Sequence, residues 1–255
     1  MKANSLLFGF VASAIVGCAV APQQPASPPI AQALPPAAGE APPLVKFHAA
    51  LPLAPEAAPL HAPKIYRPGN VLKGCPPEGD AKPDGVKAVN ILKNRIEPPK
   101  SDDFDPNATI ASMLHSGEDD SRWDDKQAAT IVGYVRDVKP GGIETCNCHA
   151  KSLDDRDTHI ELVLDPSHAA DTDVLIVEVT PRWRDFAKAN GVDWSTPTLK
   201  ASIANKWVRV TGWMMYDYEH ENASENTAPG KSGNWRRTAW EIHPITQLEI
   251  MNRPQ

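Results

Sequence analysis

Five apolar runs of strand length in the second half of the chain constrain its fold most. They are rich in β-branched and aromatic residues, and Pro- or Gly-containing turns follow several of them. The runs occupy residues 130–135, 158–164, 174–179, 207–216 and 239–250, the last with an interruption at Pro244. A short helix is predicted between the third and fourth runs, at 198–205 after Thr196-Pro197. The sequence therefore predicts a mainly β fold with one short helix.

Three strands, a short helix and two further strands follow the order of an oligonucleotide/oligosaccharide-binding (OB) barrel. The run Lys206-Trp207-Val208-Arg209-Val210-Thr211-Gly212 resembles the fourth-strand signature of many OB domains. We therefore expect a five-stranded OB-like barrel at 128–255, preceded by an irregular N-terminal extension at 64–127. Another small β-barrel or a sandwich is the alternative.

A second resemblance involves the polar positions of the same strands. The segments concerned are 157–162, 176–179, Asp217 with His220, and 241–244. Together they resemble a recurring motif of secreted bacterial OB-like proteins and are distantly similar to the thermonuclease class of OB domains. The resemblance implies the barrel fold and assigns no reaction.

The N-terminus has the pattern of a secretory signal peptide: Lys2, a short apolar run and small residues before Cys18. The ending Ile15-Val16-Gly17-Cys18 resembles the lipobox of bacterial lipoproteins. That resemblance implies removal of residues 1–17 and acylation of Cys18, and Ala19 then implies the outer membrane, facing the periplasm. A transmembrane anchor and a plain secretory peptide are the alternatives, although the apolar run is shorter than the ~20 residues that a spanning helix requires.

Residues 18–63 are predicted to form a disordered, lipid-bearing tether. Residues 19–63 hold 12 of the 26 prolines, many alanines and almost no charge. Such a composition cannot bury enough apolar surface to offset the entropy of ordering. The tether either separates the lipid from the folded domain or docks to the cell wall or another protein.

Charge and cysteine content limit the classes of function. The net charge of −6 is unlike that of a general nucleic-acid-binding protein, which neutralises phosphates with clustered Lys and Arg. With Cys18 assigned to lipid, three cysteines remain, enough for one disulfide. Cys75 with Cys146 or Cys148 is the expected pair, and a soft-metal site in Cys146-Asn147-Cys148-His149 is the rival interpretation.

Ionisable side chains recur on the non-core faces of at least three strands. Because side chains alternate along a strand, His159, Glu178, Glu241 and His243 lie opposite the apolar core positions. Candidate catalytic residues are His159, Glu178, Glu241 and His243, and candidate metal ligands are His159, Asp217, His220 and His243. Imidazole and carboxylate donors suit zinc, manganese or iron. A hydrogen-bonded polar surface without metal or catalysis is the simpler alternative.

Aromatic residues suggest a different kind of site. Trp207 and Trp213 share one face of the fourth strand, where they can stack on a ligand or pack under the N-terminal extension. The polar segment 219–237 joins the fourth and fifth strands at a position where OB folds often bind, and it is either a binding loop or disordered.

Two functions follow from these patterns. The favoured hypothesis is an envelope lipoprotein whose OB-like domain binds a ligand or a partner, such as a cell-envelope protein or a glycan. The alternative is a metal-dependent hydrolase, resembling a nuclease or phosphodiesterase, that uses zinc or manganese at the His/Glu/Asp positions.

The lipobox leads to the first prediction. Cys18→Ala removes the acylation site, so the protein should move from the membrane fraction to the soluble fraction, because stable anchoring depends on the acyl chains. Fractionation followed by immunoblotting measures this. A variant that stays on the membrane like the wild type would contradict the lipoprotein interpretation.

Overall fold

A computed structural model of the protein describes residues 71–167, 169–170 and 172–254. The predicted signal peptide, the lipidation site at Cys18 and the tether up to residue 63 lie outside these described residues.

The strands form one closed barrel. They are β1 (Ala128–Pro140), β2 (Thr158–Val163), β3 (Leu175–Val179), β4 (Trp207–Tyr216) and β5 (Trp240–Met251). The order around the ring is β1-β2-β3-β5-β4, and β4 pairs back with β1. Strands β3 and β5 are parallel, whereas the other neighbours are antiparallel. The predicted five-stranded OB-like barrel is confirmed.

Side-chain alternation builds the barrel core as the sequence predicts. Ile160 of β2, Val177 of β3 and Ile242 of β5 are fully buried in the main apolar core. Their sequence neighbours therefore face the outside of the barrel wall. Leu164, the last residue of the predicted run 158–164, does not join this core. Strand β2 ends one residue earlier, at Val163, and Leu164 is 49% exposed.

Helices cover the barrel more extensively than predicted. The described residues contain α1 (Asp84–Lys93), α2 (Ile110–Met113), α3 (Pro181–Ala189) and α4 (Thr196–Ile203). The predicted short helix is present as α4, whereas α3 was not predicted. Thr180-Pro181, which ends β3, also begins α3, and the Thr180 hydroxyl accepts a hydrogen bond from Trp183 N. No helix of the described ranges is long and apolar enough to cross a bilayer.

The N-terminal extension packs directly on the barrel. The carboxylate of Asp119 accepts hydrogen bonds from Thr238 and from Ala239 N, just before β5. Trp213 of β4 donates its indole N–H to the Glu97 carbonyl at 2.8 Å, and the Arg95 guanidinium lies 4.8 Å from its ring. The extension therefore encloses part of the outer barrel surface.

Strand β5 continues through Pro244, where an interruption was predicted. Proline lacks the N–H that a ladder hydrogen bond requires, and the register between β4 and β5 shifts next to it, around Gly212. A Cβ built at Gly212 would lie 2.3 Å from the Pro244 carbonyl oxygen and 2.7 Å from an Ile242 methyl. A residue without a side chain is therefore required opposite Pro244.

This close approach leads to the second prediction. Gly212→Ala should lower the free energy of unfolding by about 1–3 kcal/mol, because backbone atoms cannot yield as a flexible side chain does. Chemical denaturation measures the change. The matched control is Gly85→Ala in α1, where the nearest atom lies at an ordinary 3.7 Å. Equal stability of Gly212→Ala and wild type would contradict the packing described here.

Candidate functional site

Ionisable side chains gather on the outer face of β2, β3 and β5. His159 of β2 lies opposite Glu178 of β3 in the strand register. Glu241 and His243 occupy the same side of β5, next to β3. Further charged groups arrive from the connections between elements. We call the following set the ionisable cluster: Lys93, Glu144, Asp157, His159, Glu178, Asp217, His220, Arg236, Glu241 and His243.

Most members of the ionisable cluster are buried by the chain itself, whereas Glu144 and His220 are partly exposed. Lys93 comes from the last turn of α1, Glu144 from the β1–β2 connection and Arg236 from the segment before β5. Glu178 is 3% exposed, Glu241 1% and His243 not at all. Burial of so many charges is costly unless each finds a compensating partner, so the internal pairing decides what the site can do.

The first pair joins two neighbouring strands. His159 Nε2 lies 2.9 Å from Glu178 Oε1, as an ion pair without directed hydrogen-bond geometry. Burial alone would lower the pKa of His159, but Glu178, together with the more distant charges of Glu241 and Glu144, raises this pKa to about 9. Burial dominates at Glu178 and raises its carboxyl pKa. His159 is therefore a cation at neutral pH.

The second group lies on β5. Arg236 Nη1 donates to Glu241 Oε1 at 2.6 Å, while Glu241 Oε2 lies 3.3 Å from His243 Nδ1. Burial opposes ionisation of Glu241, but Arg236 and His243 together lower the carboxyl pKa to about 2. Glu241 is thus a carboxylate that orients the His243 ring, whose Nε2 has no hydrogen-bond partner among the described residues.

The third group connects α1 to the loops. Lys93 Nζ lies 2.9 Å from Glu144 and 3.6 Å from Asp217, and Asp217 also contacts His220 Nδ1 at 2.8 Å. Burial disfavours the Lys93 cation, but Asp217 and Glu144 hold its pKa well above the ordinary value. Burial likewise opposes the Asp217 charge, yet Lys93 and His220 keep its pKa well below the ordinary value.

Asp157 is a further buried carboxylate, just before β2. Its Oδ2 accepts a hydrogen bond from Asn147 Nδ2 at 2.8 Å and lies 3.5 Å from Cys146 Sγ. Its Oδ1 is buried and has no hydrogen-bond partner within the part of the chain that the structure describes. Burial, together with Asp157 and Glu144, raises the pKa of the Cys146 thiol well above its usual range.

Trp235 forms the outer edge of the site. Its ring stacks near His159 at 6.5 Å and meets the His220 ring edge-on at 5.6 Å. The cations of Lys139 and Arg236 lie 5.4 and 5.3 Å from its centroid. Cations near an aromatic face are attracted by the ring quadrupole, so these contacts hold the Trp235 ring in place beside His159 and His220.

The predicted ligand set does not converge on one point. Among the described residues, the donor sets compact enough for one metal ion include Asp157/Glu178/His243 and Asp217/His220/Glu241, each with ligand atoms within 4.8 Å of one another. The predicted ligands His243 and His220 thus fall into different sets. His159 belongs to neither of them and pairs with Glu178 instead.

The cysteines form one disulfide. Cys75 is bonded to Cys148, one of the two expected pairings, and Cys146 is a buried free thiol. The Cys146-Asn147-Cys148-His149 metal site therefore does not form, because Cys148 is oxidised and His149 contacts Asp80. A third compact donor set consists of Glu144, Cys146 and Asp157.

The predicted aromatic platform is partly covered. Trp213 is held by Arg95 and Glu97 of the extension, whereas Trp207 meets Tyr134 edge-on at 5.7 Å. The segment after β4 begins with a 3-10 helix, Tyr218–Ala223, and is hydrogen-bonded through Glu225 N to the Arg236 carbonyl. This segment closes one side of the ionisable cluster.

Sequence reasoning missed several members of the site. Asp157 precedes His159 by two positions, so the strand period that selected His159 also selects Asp157. Lys93, Glu144 and Arg236 carry no comparable signal, because only tertiary packing brings α1 and the two connections together.

Comparison with known proteins adds no assignment: no family model matches the chain, and neither does any curated protein.

The buried lysine leads to the third prediction. Lys93→Met should lower the free energy of unfolding by about 3–5 kcal/mol, because it removes the cation shared by the buried Asp217 and the partly buried Glu144. The control is Lys200→Met, which removes an exposed pair with Asp137 and should cost less than about 1 kcal/mol. Denaturant titration of both variants measures the difference. Similar small losses in both would show that Lys93 does not hold the site together.

Proposed function

We propose that the protein is a lipid-anchored protein of the bacterial envelope whose OB-like barrel binds a small ligand. The observation that carries this proposal is the enclosure of the ionisable cluster. Glu178, Glu241 and His243 are at most 3% exposed, so a polymer cannot reach them without the covering segments moving. An ion-sized ligand needs only the space between the donors.

The envelope location is supported by two independent features. The lipobox-like Ile15-Val16-Gly17-Cys18 and the following Ala19 support lipidation and the outer membrane, facing the periplasm. The Cys75–Cys148 disulfide supports an oxidising compartment, because such bonds persist in exported proteins. The membrane is thus one partner, reached through the lipid.

The covering segments also provide a surface for a larger partner. Trp235 is half-buried and lies beside Lys139, so an aromatic ring and a cation meet at the edge of the site. A cell-envelope protein or a glycan is the kind of partner that the tether would place within reach. A general role in nucleic-acid binding is disfavoured by the net charge of −6.

A metal-dependent hydrolase is the second candidate. It is favoured by the compact carboxylate and imidazole donor sets, since a catalytic metal with an open position activates water. In that mechanism His159 and His220, whose rings lie beside Trp235, would face the substrate, while the more deeply buried groups would hold the metal. Enclosure of the donors is the argument against it.

A hydrolysis assay decides between the two candidates and is the fourth prediction. The full chain, purified in detergent, is assayed with single-stranded DNA and bis(4-nitrophenyl) phosphate in the presence of Zn²⁺ or Mn²⁺. We expect no turnover above the protein-free background. Metal-dependent turnover that disappears in the His159→Ala/His243→Ala double variant, but persists in the surface control Glu249→Gln, would replace the binding function with the hydrolase.

A further inference from the structure

We propose that Asp157, Glu178 and His243 together bind one divalent metal ion of the zinc type in the wall of the barrel. One donor atom from each residue lies within 4.8 Å of the others, and all three side chains are almost fully buried. This inference rests on the proposed binding function and names the ligand of that same site.

Two residues of the proposed site carry donor atoms without a hydrogen-bond partner. Asp157 Oδ1 and His243 Nε2 are both buried and both lack a hydrogen-bond partner among the described residues. Buried polar atoms in native proteins are nearly always satisfied, and an orphaned one is costly. Two of the three residues of this compact donor set therefore each carry an unsatisfied buried atom, which a bound ligand would satisfy.

A further argument comes from charge compensation. Within the described ranges, neither Asp157 nor Glu178 forms an ion pair with a lysine or arginine. Glu241 has Arg236, and Asp217 has Lys93. Buried carboxylates are normally paired or coordinate metal. Glu178 pairs with the His159 cation, whereas Asp157 has no ion-pair partner among the described residues, so a divalent ion would supply the counter-charge that Asp157 lacks.

Neighbouring residues hold the side chains of His243 and Asp157 in place. His243 Nδ1 lies 3.3 Å from Glu241, which Arg236 holds in place, and 3.8 Å from Glu178, so Nε2 is the ring nitrogen left without a hydrogen bond. Asn147 donates to Asp157 Oδ2 and leaves Oδ1 open. Histidine ligands of metals generally direct their other nitrogen to a carboxylate in this way, and carboxylate ligands are themselves hydrogen-bonded.

The donor chemistry selects the metal. Zinc bonds of 2.0–2.2 Å place two donors at most about 4.4 Å apart, so small side-chain shifts complete the site. Cys146 Sγ lies 3.5 Å from Asp157 Oδ2 and shares a neighbouring donor set with Asp157 and Glu144. Thiol and imidazole groups suit zinc, whereas manganese prefers oxygen donors. We therefore expect Zn²⁺ to bind more tightly than Mn²⁺.

Metal titration of the full chain in detergent is the fifth prediction. After chelation and dialysis, the wild type should bind a single Zn²⁺ per chain, measured by elemental analysis. Asp157→Asn and Glu178→Gln should weaken binding by at least about 10-fold, since even changes behind a metal ligand cost 10- to 100-fold. Glu249→Gln, at an exposed ion pair with Arg209, is the size-matched control and should bind like the wild type.

Three outcomes would overturn the site. These are no Zn²⁺ binding by the wild type, unchanged affinity in Asp157→Asn and Glu178→Gln, or loss of binding in Asp217→Asn alone.

In case a ligand variant does not fold, the melting temperature of the wild type gives a second test. It should fall on chelation and recover with Zn²⁺, and no change would contradict the proposal. If the protein neither binds Zn²⁺ nor hydrolyses the substrates, the zinc site is contradicted but the proposed binding function is not. If it shows Zn²⁺-dependent hydrolysis, the proposed binding function is contradicted.

Discussion

The burial of charge on the outer face of β2, β3 and β5 is the constraint on which the rest of the structure depends. Alternation along these strands directs apolar side chains such as Val177 into the barrel and leaves Glu178 on the opposite side. In most barrels that side meets water, but here the chain covers it. Every carboxylate beneath the cover then needs a local counter-charge or a directed hydrogen bond, because desolvation of an unpaired ion costs several kcal/mol.

The covering segments supply most of these partners. Helix α1 delivers Lys93 to Glu144 and Asp217, and the segment before β5 delivers Arg236 to Glu241. The Cys75–Cys148 disulfide, which closes a span of 73 residues, ties the start of the described extension to the connection that carries Glu144. The same contacts that stabilise the domain therefore shape the site, and they leave Asp157 without an ion-pair partner among the described residues.

Much of the fold was predictable because its signals are local. The strand period identified the inward and outward positions of β2, β3 and β5, and turn residues marked most strand ends. Helix α3 was missed because Thr180-Pro181 was interpreted only as the end of a strand. The site was predictable in part: His243 and Glu178 follow from periodicity, whereas the Lys93–Asp217 pair depends on packing between distant segments, for which one sequence carries no signal.

The central claim is that the enclosed donors hold a divalent ion at a defined place. The most direct measurement is a crystal structure of the full chain grown with Zn²⁺, with anomalous diffraction recorded on both sides of the zinc absorption edge. The account predicts a peak between Asp157, Glu178 and His243, with bonds near 2.0–2.2 Å. A peak beside Asp217 and His220 instead, or no peak inside the barrel wall, would contradict it.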